Sequence, residues 1–195
     1  MISVGVDLAA QPERTAVATI RWSTGCAVVE HVADRADDEA ILQVVRRADK
    51  TGIDCPLSWP APFVSFVTAH HARHADVLAG RPVSLRDLTM RCTDMVVREQ
   101  LGMTPLSVSA DPIAHVALRR AVLLGKLQTA AGAVDRSGTG PVAEVYPAAS
   151  LHRWGLVHRG CKQRTKADVL DGLVGQLLAA APWLNCAAYE QSMRR

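Results

Sequence analysis

The order of elements in the first quarter of the chain constrains its fold most. Ile2 to Leu8 is a short apolar run, rich in β-branched residues and carrying an acid near its end, and it reads as a strand. The turn Gln11-Pro12-Glu13-Arg14 leads into a second strand, Thr15 to Trp22, where Val17, Thr19 and Arg21 alternate with Ala16, Ala18, Ile20 and Trp22. Ser23-Thr24-Gly25 is a hairpin signal, and Cys26 to Val32 is a third strand. Asp37 and Asp38 then open a helix with an apolar face of Ala40, Ile41, Val44, Val45 and Ala48. Thr51 to Asp54 is too short for another helix and stops at Cys55-Pro56, so it reads as a fourth, buried strand. Three antiparallel strands, a helix and a strand predict an α/β domain with the fourth strand beside the first.

Pro56, Pro60 and Pro62 then interrupt the chain. Residues 56–110 are expected to form an irregular helical insertion, with helices over Phe63–Leu78 and, capped by Thr93, over Asp94–Leu101. Asp111-Pro112 marks the start of a longer helix, carried on by Ile113, Val116, Ala117, Arg120 and Leu124 and closed by Gly132. Arg119 and Arg120 on it read as plain surface. Val142 to Tyr146 is a fifth strand stopped by Pro147, followed by a short helix over Ala148–Trp154. Thr165 caps a last helix with Val169, Leu170, Leu173, Val174 and Leu177 as its core stripe.

With 195 residues, 49% of them apolar and 21% charged, the chain can build the core of a single domain, 1–195. Charge interrupts every apolar run before membrane-spanning length, so no membrane association is expected. Met1-Ile2-Ser3-Val4-Gly5-Val6-Asp7 runs straight into the first strand with no basic lead, so no signal peptide is expected. Five cysteines without a C-x-x-C pair argue against a disulfide framework or structural zinc, and they read as small hydrophobes in a reducing cytoplasm. Aromatics are only 4%, which argues against a single-strand stacking platform. The net charge of +3 excludes a histone-like polycation. Residues 1–55 hold six Lys/Arg against nine Asp/Glu and the remainder sixteen against ten, so an acidic first part precedes a basic remainder. No G-x-G-x-x-G, P-loop or G-x-S-x-G pattern is present, so nucleotide binding of those kinds and serine hydrolysis have no support. His70, His71 and His74 lack a zincin glutamate and read as an exposed helix face.

Three acids lie on or at the ends of expected core strands: Asp7 on the first, Asp54 on the fourth and Glu144 on the fifth. A carboxylate in an apolar strand is costly to bury alone, and carboxylates brought together repel. Two arrangements answer that cost. The acids pair with arginines or cap helices, or they hold a divalent cation such as Mg²⁺ or Mn²⁺, which favours a few carboxylates plus water and phosphate oxygens. The second arrangement is that of metal-assisted phosphodiester hydrolysis.

Gly5-Val6-Asp7-Leu8-Ala9, Ile53-Asp54-Cys55-Pro56-Leu57, Arg91-Cys92-Thr93-Asp94 and Glu144-Val145-Tyr146-Pro147 resemble the four blocks of the family called domain of unknown function 429. They occur in family order over about residues 3–180. That family is described as predicted nucleases of the ribonuclease H-like fold. The resemblance implies a five-stranded mixed sheet, order 3-2-1-4-5, flanked by helices. It implies that Asp7 and Asp54 hold the metal ions, that Glu144 is a further ligand on the fifth strand, and that Asp94 is either another ligand or a capping partner of Arg91. It implies nucleic acid as the partner. Superfamily enzymes usually carry a final acid on a C-terminal helix; here the closing helix is expected to be missing, and Asp168 and Asp171 are the only late alternatives.

His152 to Lys166 concentrates Arg153, Arg159, Lys162, Arg164 and Lys166 with no acid. Together with Arg91, Arg159, Lys162 and Arg164 are the candidates for holding backbone phosphates. Two rival readings remain at this stage. One is a catalytically inactive binding or scaffold domain. The other is an actin-like phosphotransferase, which needs a second domain of similar size.

Overall fold

Period-two alternation builds the sheet. In the computed structural model, which describes residues 1–79, 84–160 and 167–187, strand β1 (Ile2–Asp7) buries Val4 and Val6 on one face and turns Gly5 and Asp7 to the other. β1 pairs antiparallel with β2 (Ala16–Ser23), which pairs antiparallel with β3 (Cys26–Ala33) across the Thr24-Gly25 turn, where Gly25 takes φ 72°. After helix α1 (Asp38–Val45), β4 (Lys50–Ile53) joins β1 in parallel, with Val6 opposite Ile53. β5 (Val142–Glu144) lies parallel to β4, with Ile53 opposite Glu144.

The protein is thus an α/β fold with a six-stranded mixed sheet in the order β5-β4-β1-β2-β3-β6. The count and full order differ from the expected five strands by one added edge strand, while β3-β2-β1-β4-β5 keep the expected sequence. A two-residue strand, β6 (Leu184–Asn185), pairs parallel with Ala27 and Val28 and extends the edge beyond β3. Two residues carry too little alternation to announce a strand. Pairing with β3 and the packing of Trp183 against Trp22, ring centroids 5.3 Å apart, hold this segment in place.

The helices follow their caps. The Asp37 carboxylate accepts from Ala40 N at 2.8 Å and starts α1. The expected helix over 63–78 is two helices, α2 (Ala61–His71) and α3 (Ala75–Ala79), separated at Arg73, whose φ of 58° cannot continue a right-handed turn. His70, His71 and His74 are exposed. A short α4 (Leu85–Thr89) precedes α5 (Cys92–Leu101), where Arg91, not Thr93, is the N-cap. In α6 (Ile113–Ala131) Asp111 does not cap with its side chain; that carboxylate turns back to Ser107 N at 2.7 Å. α7 (Pro147–Arg153) and α8 (Ala167–Ala180) complete the order, and Asp168 and Asp171 on α8 are exposed. Among the described residues no helix is long and apolar enough to cross a membrane.

The core lies on one face of the sheet. Val4, Val6, Val17, Ile53 and Val142 pack against Ile41, Leu42 and Val45 of α1 and Leu123, Leu124 and Leu127 of α6. Burying one such side chain stabilises by roughly 1.5–3 kcal/mol. Arg119 and Arg120 overturn the surface reading. Arg119 donates to the Asp38 carboxylate at 2.8 Å, to Ala9 O at 2.9 Å and to Thr15 Oγ1 at 2.7 Å, tying α6 to the β1–β2 loop. Arg120 is 1% exposed, donates to Leu57 O at 2.8 Å and lies 4.6 Å from the centroid of the Trp59 ring.

Candidate active site

The parallel pairing of β1 and β4 puts two acids side by side. Asp7 closes β1 and Asp54 follows Ile53 directly, while Asp54 N donates to Val6 O at 2.9 Å. Neighbouring strands are about 4.8 Å apart, so the two carboxylates start from adjoining backbone positions. Asp7 is exposed and Asp54 half-buried. Both line a groove of about 730 Å³ on the sheet face opposite the core, floored by Gly5, Ala16, Ala18, Gly52 and Ala143. Gly52 has a steric reason: a Cβ there would stand 2.9 Å from Val145 Cγ1.

Glu144 goes elsewhere, and the register explains why. It pairs with Ile53, whose side chain is in the core, so it lies one step out of phase with Asp54. Its carboxylate accepts from Arg91 Nη1 and Nη2, each at 2.7 Å, and from Leu57 N at 2.8 Å. Arg91 also donates through Nε and Nη2 to Asp94 at 3.0 and 2.6 Å, and its backbone N–H donates to Asp94 Oδ2 at 2.9 Å. Arg91 is 7% exposed and Asp94 2%. Burial opposes the Arg91 charge, but its hydrogen bonds to Glu144 and Asp94 and their negative charges outweigh that and raise its pKa.

This triad bears on three expectations. Of the two roles left open for Asp94, the structure shows the one in which it caps α5 and pairs with Arg91. Arg91 directs its guanidinium at two carboxylates. Glu144 is Arg91's partner and anchors the chain after β4 through Leu57. Among the described residues no group of three or more His, Cys, Asp or Glu side chains is placed to hold a metal ion. Arg159 is exposed, and its charge reaches Tyr146. Lys162 and Arg164 lie outside the described residues.

Three further features border this region. Tyr146, the N-cap of α7, is a half-buried phenol whose pKa is raised by burial and by the Asp54 charge, with Arg159 pulling the other way. Cys55 is 2% exposed, and burial pushes its thiol up to about 11 although Arg120 lowers it. Arg120 Nε and Nη2 have no hydrogen-bond partner, and burial lowers the pKa of that guanidinium. A signal for Arg120 was present in the sequence: it falls on the stripe of Ile113, Val116, Ala117 and Leu124.

Residues 5–189, nearly the whole chain, match the model of a family described as "Protein of unknown function (DUF429)". No curated protein matches. Among solved structures, one described as T. thermophilus RuvC in complex with Holliday junction substrate is similar at 13% identity and a TM-score of 0.22, covering 68% of this chain and 98% of that one. A likeness of that size carries no argument about this chain.

Proposed function

The chain belongs to the DUF429 family, and we propose that it is a metal-dependent phosphodiester hydrolase of the ribonuclease H-like class acting on nucleic acid in the cytoplasm. The observation that carries this reading is the placement of Asp7 and Asp54 at adjacent ends of two parallel strands, opening on one groove.

The donor set fits a hard divalent cation. Two carboxylates from rigid strand ends, with water access through the groove, match what Mg²⁺ or Mn²⁺ takes from a protein when substrate phosphate completes the shell. Bound between Asp7 and Asp54, the cation would supply Lewis-acid activation of a phosphodiester and of attacking water. The protein's own part is positioning. The Arg91–Asp94–Glu144 triad holds α5 and the chain around Leu57 against β5, and so fixes the strand ends from behind. Arg159, with Lys162 and Arg164, is the proposed phosphate-holding set.

A second reading, a non-catalytic nucleic-acid-binding domain, draws on the lack of a third described carboxylate beside Asp7 and Asp54. One experiment separates the two. The chain is assayed with Mg²⁺ or Mn²⁺ on single- and double-stranded DNA, RNA and hybrids, alongside Mn²⁺ titration. The hydrolase reading expects Mn²⁺-dependent cleavage lost by at least a hundredfold in Asp7→Asn and in Asp54→Asn. Cleavage that survives both substitutions together would refute it, and absence of both Mn²⁺ binding and cleavage would favour the binding domain.

A further inference from the structure

A second cavity, of about 290 Å³, lies where β4 and β5 end, lined there by Asp54, Cys55, Glu144 and Val145. Its walls are apolar: Pro56, Val97, Pro105, Leu106 and Ile113, with the Tyr146 ring. Its polar end is formed by Thr93 and the Arg91–Asp94–Glu144 triad. Asp54 and Val145 line both spaces, so the cavity and the groove meet at one of the two proposed metal-holding acids.

We infer that this cavity is a binding site for one unpaired nucleobase of the substrate, next to the phosphodiester to be cut. The inference rests on the hydrolase reading for its orientation, because it places the neighbouring phosphate at Asp7 and Asp54. Shape and chemistry select the occupant. A nucleobase is a flat ring with apolar faces and a polar rim, and the cavity offers apolar walls, one aromatic ring and a polar end. Its volume is at the lower bound of small-ligand sites and suits a single base. The polar end favours donors. Glu144 Oε1 accepts one bond from Arg91 and keeps acceptor capacity, and its side chain is 26% exposed. An exocyclic amino group of adenine, cytosine or guanine can donate there. A base inside a duplex cannot enter, so the cavity makes the protein select single-stranded or extruded nucleotides.

Leu106 sits at the cavity on an irregular segment and is 57% exposed, so a larger side chain there does not disturb the core. The test uses Leu106→Trp to fill the cavity and Leu106→Ala to leave it open. Binding of adenosine, cytidine and guanosine is measured by ligand-observed NMR in EDTA, where no cleavage occurs. Binding of a labelled single-stranded oligonucleotide is compared with that of its abasic analogue and its duplex. Saturable nucleoside binding that Leu106→Trp abolishes and Leu106→Ala keeps is expected. The oligonucleotide is expected to bind about ten- to a hundredfold tighter than the abasic analogue, the range of one base–aromatic stack, with that ratio falling to about one in Leu106→Trp. Mn²⁺ affinity is expected to be unchanged in both variants. Absence of saturable nucleoside binding, or equal affinity for the abasic analogue in the unsubstituted protein, overturns the inference. Loss of Mn²⁺ binding and cleavage with nucleoside binding retained would instead overturn the hydrolase reading and leave the cavity as a base site.

Discussion

Replacing Arg91 by leucine tests the structural logic of the site most directly. The guanidinium donates to Asp94 at 3.0 and 2.6 Å and to Glu144 at 2.7 Å twice. Its removal strands two carboxylates unequally. Asp94, at 2% exposure, keeps only the Arg91 backbone N–H among the hydrogen bonds of the triad and stays largely buried. Glu144, at 26%, keeps Leu57 N and can turn outward. Breaking a buried ion pair from one side costs about 3–5 kcal/mol, whereas a half-open one costs about 1 kcal/mol or less. Asp94 therefore dominates, and Arg91→Leu should cost about 4 kcal/mol. For a domain of this size that lowers Tm by about 8–16 °C. Urea unfolding followed by circular dichroism measures it. The pair Arg91→Leu/Asp94→Leu should recover more than half of the loss, because no charge is then stranded. A single-variant cost below about 1 kcal/mol, or a double variant no better than the single, would show that the triad does not hold α5 to the sheet. Glu144→Gln should cost less than Arg91→Leu and leave Mn²⁺ affinity near that of the unsubstituted protein, unlike Asp7→Asn.

Two further outcomes follow from packing and titration. Gly52→Ala places a methyl group 2.9 Å from Val145 Cγ1 and should cost about 1–3 kcal/mol, with Val145→Ala as a second substitution restoring most of it in the same unfolding assay. Cys55 is held protonated by burial, its pKa rising from 9.0 to about 11. A raised folded-state value means that its contribution is complete below pH 9 and is lost as pH rises toward 11, by about 3 kcal/mol in all. Unfolding free energies measured from pH 8 to pH 11 should therefore fall less steeply in Cys55→Ala than in the unsubstituted protein, and parallel curves would contradict the burial argument.

Alternation and punctuation made much of the fold legible in the sequence. The β-branched run from Ile2, the hairpin signal at Ser23-Thr24-Gly25 and the acids Asp37 and Asp38 at a helix start are local patterns; a strand, a turn at Thr24-Gly25 and helix α1 stand there. Placing β4 beside β1 followed from the usual handedness and adjacency of such connections. The short edge strand β6 and the break in the insertion at Arg73 were not legible, since neither has a periodic signature.

The candidate site divides along the same line. That Asp7, Asp54 and Glu144 lie on or at the ends of core strands was determined by the sequence alone, because an acid in or after an apolar strand is a local feature. Which of them face one another was decided only by tertiary register. A shift of one residue moves a side chain to the opposite face of a sheet, and the pairing of Glu144 with Ile53 sends it to Arg91, while Asp7 and Asp54 share a groove. Arg120 shows the same limit from the other side. Its place on an apolar stripe was visible, but only packing against Leu57 and Trp59 shows a charge carried into the core. Local chemistry lets a sequence name its charged residues; long-range packing decides which of them meet each other and which meet water.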